Sequence, residues 1–213
     1  MRREVEVEHR RPDREGLYQL ASEQRGYFTA AQARSSGYSR SLLAHHSKTG
    51  TFQRAYRGVY RFRDYPSSPR EEVVAAWLAI GKDVAVVSHE SALELWNLGD
   101  IIPDSVHLSV PRARRHLPDL PGVTIHTTTR GLDRDQVQIL EGVRVTTPPR
   151  TLLDVAQAGG APDQIGFALF QAITRGWIDR DALRIDAARR GSRIARLIDD
   201  ALSADFSLYQ ELA

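Results

Sequence analysis

Cysteine is absent from the sequence and lysine is rare, and this composition limits the kinds of functional site that the chain can form. None of the 213 residues is a cysteine, which excludes disulfide bonds, thiolate metal sites and cysteine nucleophiles. Lys48 and Lys82 are the only lysines, against 27 arginines. Long apolar runs are also missing, as is the apolar core of a signal peptide near the N-terminus. We therefore expect a cytoplasmic protein with no membrane span.

Acidic residues are missing from one stretch, residues 26–63, which nevertheless contains seven basic residues. A surface of this sign attracts phosphate whatever the base sequence. An overall preference for arginine explains many basic residues, but it does not explain the absence of acids over this span. The stretch therefore predicts a DNA-binding surface, and a solvated basic face on a small helical domain is the alternative. The basic residues are Arg34, Arg40, Lys48, Arg54, Arg57, Arg61 and Arg63.

Two short helices joined by a glycine turn are predicted inside this stretch. Thr29 is a good N-cap for a helix over residues 30–35, and Ser39 caps a second helix over residues 40–49. Gly37 lies between them and permits the tight turn that two closely packed helices need. This arrangement is typical of a helix-turn-helix motif, in which the second helix lies in the major groove.

The hydrophobic pattern changes from helical to alternating after residue 50. Residues 52–55 and 59–62 are predicted strands, and the turn between them contains Gly58, which supplies a positive φ. A basic hairpin after a recognition helix is a wing, so Arg54 and Arg57 are expected along the duplex backbone or the minor groove. The stretch as a whole therefore predicts a winged helix-turn-helix.

The recognition helix has one face for DNA and one for the core. Residues near its N-terminus reach base edges, which assigns Arg40 and Ser41 to base contacts. His46 follows Leu43 by three residues, so we expect a neutral ring that faces the core. Helix N-termini favour phosphate, so the two capping residues, Thr29 and Ser39, are also assigned to DNA contacts. The complete set assigned to DNA is Thr29, Ser39, Arg40, Ser41, His45, Lys48, Arg54, Arg57 and Arg61.

Charge divides the chain into a basic first third and an acidic remainder. Residues 1–70 contain 14 basic and 7 acidic residues, whereas residues 71–213 contain 15 and 20. We predict a flexible tail over residues 1–12 and a winged helix-turn-helix domain over residues 13–65, whose first helix covers residues 13–24. A linker rich in proline and serine follows over residues 66–70, and a second domain covers residues 71–213.

The second domain is predicted to mix a small sheet with many helices. The pattern indicates strands over residues 85–87, 106–110, 123–127, 138–140 and 143–145, and helices over 70–80, 89–96 and 151–158. From about residue 159 to the end it predicts a helical tail in three pieces. The fold class is therefore α+β: an N-terminal winged helix-turn-helix followed by a mixed α/β domain with a helical tail.

No catalytic or metal-ligating residue is assigned, and no cofactor is expected. His89-Glu90 would begin a zinc-protease helix, but Leu93 stands where the second histidine is needed. His107 and His126 lie on predicted strands, and no third ligand has a suitable spacing. Asp104 would suit a nuclease, but the lysine that such a site needs on the next strand is missing.

One basic loop of the second domain stays open to two interpretations. Arg112, Arg114, Arg115 and His116 lie between two predicted strands. They form either a solvated turn or a second contact with DNA or with a partner protein.

These motifs, taken in order, resemble those of AbiEi-type antitoxins, the regulator halves of bacterial type IV toxin–antitoxin systems. The resemblance is carried by FTAAQARSSGYSRSLL, GTFQRAYRGVYRF, SHESALELWNLGD, VHLSVPR, GVTIHTTT and GVRVTTPPRTLLDVA, and it covers about residues 15–158. It departs in the recognition helix, where His45, His46 and Ser47 replace an arginine and two apolar residues.

The resemblance implies an autorepressor that binds an inverted repeat in its own promoter. It also implies a nucleotidyltransferase-like toxin from the same operon as a partner, and a monomer or weak dimer that pairs on DNA. Two alternatives remain: a DNA-targeted nuclease-like enzyme, and a stand-alone regulator whose second domain binds protein.

Overall fold

The computed structural model describes residues 11–114, 117, 119–129 and 132–204. The chain forms two compact units, residues 1–79 and residues 80–213. The predicted N-terminal tail, Arg115 and His116, and the end of the helical tail lie largely or wholly outside the described residues. None of the helices described is long and apolar enough to cross a membrane. The architecture is α+β, as predicted.

Three short helices build the first unit around a small apolar core. They are α1 (Arg14–Ser22), α2 (Ala30–Ser35) and α3 (Arg40–Lys48). Each begins at a side-chain cap, from Asp13, Thr29 and Ser39 respectively, which satisfies a backbone N–H that the first turn leaves unpaired. Gly37, between α2 and α3, has a φ of 85°, the left-handed conformation predicted for the turn.

A three-stranded antiparallel sheet completes the first unit. Its strands are β1 (Tyr27–Thr29), β2 (Phe52–Tyr56) and β3 (Val59–Phe62), in the order β1-β3-β2. The hairpin of β2 and β3 was predicted, whereas β1 was not. Phe28 of β1 is fully buried against Phe52 and Phe62, with ring centroids 4.9 and 5.2 Å away. Strand β1 therefore contributes the central ring of this core.

Helix α4 (Glu71–Ile80) lies almost entirely within the first unit, which ends at Ala79. The sequence interpretation placed this helix at the start of the second domain, behind a linker over residues 66–70. The structure instead connects Glu71 to the wing strand, because its carboxylate accepts a hydrogen bond from Arg61 at 3.0 Å. The same carboxylate accepts from the backbone N–H of Ser68 at 3.1 Å, so residues 66–70 form part of the first unit.

A five-stranded mixed sheet forms the base of the second unit. Its order is β6-β5-β4-β8-β7, with parallel pairs β5–β6 and β4–β8 and antiparallel pairs β4–β5 and β7–β8. All five strands fall where the sequence pattern predicted strands. They are β4 (Val86–Val87), β5 (Val106–Pro111), β6 (Val123–Thr128), β7 (Val137–Leu140) and β8 (Val143–Thr146).

Helices supply the main core of the second unit. Leu93, Leu152, Leu169 and Ile198, from four of the helices, are fully buried in one apolar cluster. Helix α6 begins at Pro148 rather than at Thr151 as predicted, because proline in the first turn is favourable there. The helices are α5 (His89–Leu95), α6 (Pro148–Ala158), α7 (Pro162–Thr174), α8 (Arg180–Arg190) and α9 (Ser192–Ser203).

Candidate nucleic-acid interface

The N-terminus of α3 exposes the residues predicted to reach base edges. Ser39 caps the helix, since its Oγ accepts from the backbone N–H of Leu42 at 3.1 Å, and it also contacts the Oγ of Ser41 at 2.9 Å. Arg40 and Ser41 are exposed in the first turn. The cap fixes the direction of the helix, while the next two side chains remain open to a ligand.

The outer and inner faces of α3 divide as the sequence predicted. His45 and Lys48 are exposed, and Leu43 is buried in the core. His46 turns inward, with its ring centroid 5.7 Å from Tyr38 and 5.0 Å from Phe52. Burial, and then the neighbouring His45, lowers the pKa of His46 below its ordinary value. The ring is therefore neutral near pH 7, as expected.

The wing presents two arginines at the end of the hairpin. Gly58 in the turn has a φ of 81°, the conformation that the sequence required of it. Strand β2 is irregular at Ala55, because Arg54 pairs with Tyr60 while Tyr56 pairs with Val59. The Nε of Arg54 donates to the carbonyl oxygen of Tyr56 at 3.3 Å, which holds the side chain against the hairpin. Arg57 is exposed in the turn.

A basic cleft lies between α2, the start of α3 and the wing. It has a volume of about 420 Å³, and four guanidinium groups from these three elements surround it. No described carboxylate lies within salt-bridge distance of any of the four arginines. A concave surface of this charge attracts anions such as phosphate. The lining residues are Ala30, Arg34, Tyr38, Arg40, Leu43, Arg54, Arg57, Gly58 and Tyr60.

Arg34 belongs to this cleft, although the sequence interpretation did not assign it to DNA. It lies in the last turn of α2 and is exposed. Its position three residues before Gly37 could have indicated the role, because a side chain there lies beside the turn that leads into α3. The sequence supplied the charge but not the direction of the side chain.

The prediction that Arg61 contacts DNA is wrong, because its guanidinium is buried and not available to DNA. The residue is 7% exposed, and it donates to Glu71 at 3.0 Å and to the carbonyl oxygen of Pro66 at 3.0 Å. Its charged group also lies over the rings of Tyr27 and Tyr65. Alternation along β3 directs this side chain away from the cleft and into the unit.

Thr29 performs the capping role that the sequence predicted. Its Oγ1 accepts from the backbone N–H of Gln32 at 3.1 Å, and the Gln32 side chain accepts from the backbone N–H of Thr29 at 2.7 Å. This is a complete capping box. Its contact with a phosphate remains a prediction.

Three histidines of the second unit converge, which sequence reasoning missed. His89 begins α5, His107 lies on β5 and His126 lies on β6. The Nδ1 of His107 is 3.0 Å from the Nε2 of His126, and the rings of His89 and His126 stack with centroids 3.5 Å apart. Spacing along the chain did not reveal this third histidine, because the sheet brings together residues that are distant in the sequence.

Burial keeps these three rings uncharged at neutral pH. Burial, and then the neighbouring His126, lowers the pKa of His89 to about 3. Burial and His107 lower the pKa of His126 to about 4, and burial also lowers that of His107. Among the residues that the structure describes, this is the one group of three or more histidine and acidic side chains close enough to share a metal ion.

Comparisons with known proteins agree with this two-part architecture. Residues 17–63 match the family model described as "Transcriptional regulator, AbiEi antitoxin", and residues 84–199 match the "AbiEi antitoxin C-terminal domain". No curated protein matches the chain.

A solved structure shares the fold at low sequence identity. The crystal structure of the RV2827C protein from Mycobacterium tuberculosis superposes with a TM-score of 0.61 and 17% identity, over 92% of this chain and 78% of that one. At this identity the similarity shows the fold alone. The two family matches fall in the same order as the two structural units, and the second covers more than half of the sequence. The chain is a DNA-binding regulator, and it belongs to the AbiEi antitoxin family.

Proposed function

We propose that the protein is an autorepressor that binds an inverted repeat in its own promoter, and that the basic cleft of the first unit contacts the DNA backbone. The observation that carries this proposal is the convergence of Arg34, Arg40, Arg54 and Arg57 with no described carboxylate beside them. Phosphate contacts of this kind supply affinity and orientation, whereas base contacts supply specificity.

Base recognition belongs to the exposed first turn of α3. Arg40 and Ser41 lie there with neither side chain buried, at the position from which a recognition helix reaches base edges. His45 and Lys48 are further along the exposed face and extend the contact toward the flanking backbone. Ser39 and Thr29, at the two helix N-termini, are suited to accept a phosphate beside their caps.

A single winged helix reads few base pairs, so useful specificity requires two copies on the DNA. We place one copy on each half of the repeat, as a monomer or weak dimer that pairs on the duplex. The second unit is the better candidate for protein contacts, because residues 80–213 contain 15 basic and 18 acidic residues and so repel phosphate. Family membership makes a nucleotidyltransferase-like toxin from the same operon the partner to test.

The experiment is a reporter under the control of the chain's own upstream region. Repression should require the intact repeat and should be lost in the Arg40→Ala/Arg57→Ala double variant. The matched control is Arg184→Ala, since Arg184 is engaged by Asp181 and Asp199 on the surface of the second unit. Full repression by the double variant would remove the cleft from the mechanism.

A cleavage assay with the purified protein tests the alternative function, a DNA-targeted nuclease. The protein should leave the promoter fragment intact in the presence of Mg²⁺ or Mn²⁺. Metal-dependent cleavage would replace this proposal with a DNA-targeted nuclease.

A further inference from the structure

The histidine cluster of the second unit has the geometry of a small metal site. One ring nitrogen from each of His89, His107 and His126 lies within 4.8 Å of the other two. In a tetrahedral zinc site two ligating nitrogens are about 3.3 Å apart, because each Zn–N bond is about 2.0–2.1 Å long. The 3.0 Å between His107 Nδ1 and His126 Nε2 is already close to this separation.

The type of ligand narrows the choice of ion. Three imidazoles without a thiolate suit Zn²⁺, Cu²⁺ or Ni²⁺ rather than Mg²⁺ or Ca²⁺, and the chain contains no cysteine. Three histidines leave one position of a tetrahedral ion free for water. His107 and His126 are half-buried, so an ion can enter from that side. We propose that His89, His107 and His126 bind one Zn²⁺ ion, which links α5 to strands β5 and β6.

Protonation does not oppose binding near neutral pH. A neutral imidazole carries one proton and keeps one ring nitrogen with a free lone pair. The proton shared between His107 and His126 must move to the outer nitrogen of its own ring. This is a change of tautomer with no net release of a proton.

The rings must also turn before they can share an ion. His89 and His126 now stack with 15° between their planes, whereas an ion lies close to the plane of every imidazole that binds it. A rotation of the His107 and His126 rings about χ2 brings the planes together, and this torsion has a broad minimum in histidine. Binding therefore replaces the stacked arrangement with a converging one.

Hydrogen bonds behind the rings hold the first ligand in place. The Oγ of Ser88 contacts the Nδ1 of His89 at 2.9 Å, and Ser109 donates to the same Oγ at 2.8 Å. When Nδ1 donates, the Nε2 of His89 is left for the ion. Such outer partners fix the tautomer and orientation of metal-binding histidines. His89 itself has a φ of 53°, a conformation that persists only where its surroundings hold it.

The local field is mixed but includes negative charge beside the ligands. Burial is the main reason that the pKa values of His89 and His126 are lowered, and the Asp154 carboxylate opposes this effect at both rings. Glu90 acts in the same way on His107. Arg150 opposes this at His89, and it binds Asp154 at 2.9 Å. Arg190 also binds Asp154, at 2.8 Å, so two guanidinium groups offset the charge of this carboxylate.

Calorimetry on the untagged full-length chain, stripped with a chelator, tests the site directly. Titration with ZnCl₂ should give one ion per chain. The half-buried ligands are the safer ones to replace, and both His107→Gln and His126→Gln should lose stoichiometric binding. His45→Gln is the matched control, because His45 is exposed in the first unit and should retain it.

Two further readouts separate coordination from an effect on folding. Co²⁺ in place of Zn²⁺ should give visible absorption bands in the wild type and in His45→Gln, and none in the two cluster variants. Ser88→Ala should weaken zinc binding by about 10–100-fold, the usual loss when an outer partner is removed. Absence of stoichiometric zinc binding by the folded wild type would overturn the proposal. Unchanged binding in folded His107→Gln and His126→Gln would also overturn it.

Discussion

The role of an arginine in this chain depends on where the fold places it. Arg57 and Arg61 lie in the same hairpin, yet Arg57 is exposed beside the cleft and Arg61 is buried against Glu71. Sequence could not separate them, because the partner of Arg61 lies beyond a stretch rich in proline and serine that resembles a linker. The absence of acids over residues 26–63 located the basic surface, but not every residue on it.

Replacing Arg61 should destabilise the first unit rather than act on DNA directly. Arg61→Ala leaves the carboxylate of Glu71, 23% exposed, without its partner, so we expect a loss of about 2–3 kcal/mol in unfolding free energy. Arg57→Ala should change it by less than about 0.5 kcal/mol. Urea denaturation measures both. Equal stability of the two variants would mean that the Arg61–Glu71 pair makes no net contribution.

His46 should make the first unit sensitive to acid. Its folded pKa is lowered, so the unfolded chain binds the proton more readily. Stability is then complete above the unfolded value of about 6.5 and falls as the pH decreases below it. His46 Nδ1 is buried with no described hydrogen-bond partner, so His46→Leu should be at least as stable at pH 7.5.

The comparison between wild type and His46→Leu isolates this ring from other titrating groups. Between pH 7.5 and 5.5 the wild type should lose more stability than the variant, by no more than about 1 kcal/mol because the ring is only half-buried. His45 and Arg14 also act on His46 and are unchanged in the variant. A large loss of stability in His46→Leu at pH 7.5 would show that the ring makes a buried hydrogen bond.

At the scale of elements, sequence predicted well where a local pattern decides the structure. Caps and glycines marked α2 and α3, and local apolar patterns and a glycine turn marked all five strands of the second unit. Strand β1 was missed because three residues are too short for an alternating pattern, and it forms only through its pairing with β3. Helix α4 was predicted as a helix, but its place in the first unit depends on a tertiary contact.

The candidate sites depend on tertiary structure even more than the secondary-structure elements do. The basic cleft combines charge, which sequence reveals, with a convergence of α2, α3 and the wing that only the fold reveals. The histidine cluster requires β5 to lie beside β6 in parallel, with Ser109 opposite His126. No spacing rule for short metal motifs covers ligands 19 residues apart on neighbouring parallel strands.

Recognition helix and wing should differ in how they affect binding. Arg40→Ala and Ser41→Ala should relax sequence preference, because these residues lie in the first turn of α3. Arg57→Ala should weaken all sequences alike and reduce the slope of log affinity against log salt by about 0.9, the value of one phosphate contact. Footprinting against specific and random DNA compares them. Unchanged specificity in both α3 variants would remove that turn from base readout.

For the whole molecule, charge separates the two units. Residues 1–79 contain 14 basic and 9 acidic residues, whereas residues 80–213 contain 15 and 18. The first unit also has its own apolar core, with Leu17, Phe28 and Phe62 fully buried. It therefore has both the charge and the packing to act on DNA alone.

A fragment of residues 1–79 should fold and bind duplex DNA with only a weak sequence preference, because a single winged helix reads few base pairs. Its four cleft arginines predict a salt slope of about −3.6 if each meets one phosphate. A fragment of residues 80–213 should not bind at the same salt concentration. Fluorescence anisotropy at several salt concentrations measures both, after circular dichroism has confirmed that each is folded. Equal binding by residues 80–213 would show that the DNA-binding site is not confined to the first unit.

The spacing of the two half-sites tests whether copies of the whole molecule cooperate on DNA. If two chains contact each other while bound to an inverted repeat, they must lie on the same side of the duplex. Inserting about 5 base pairs between the half-sites rotates one by half a helical turn and should abolish repression, while about 10 base pairs should restore part of it. If the two copies bind independently, either insertion should reduce repression by the same small amount. The contact would then be absent, and the second unit would be left free for a partner other than a second copy of this chain.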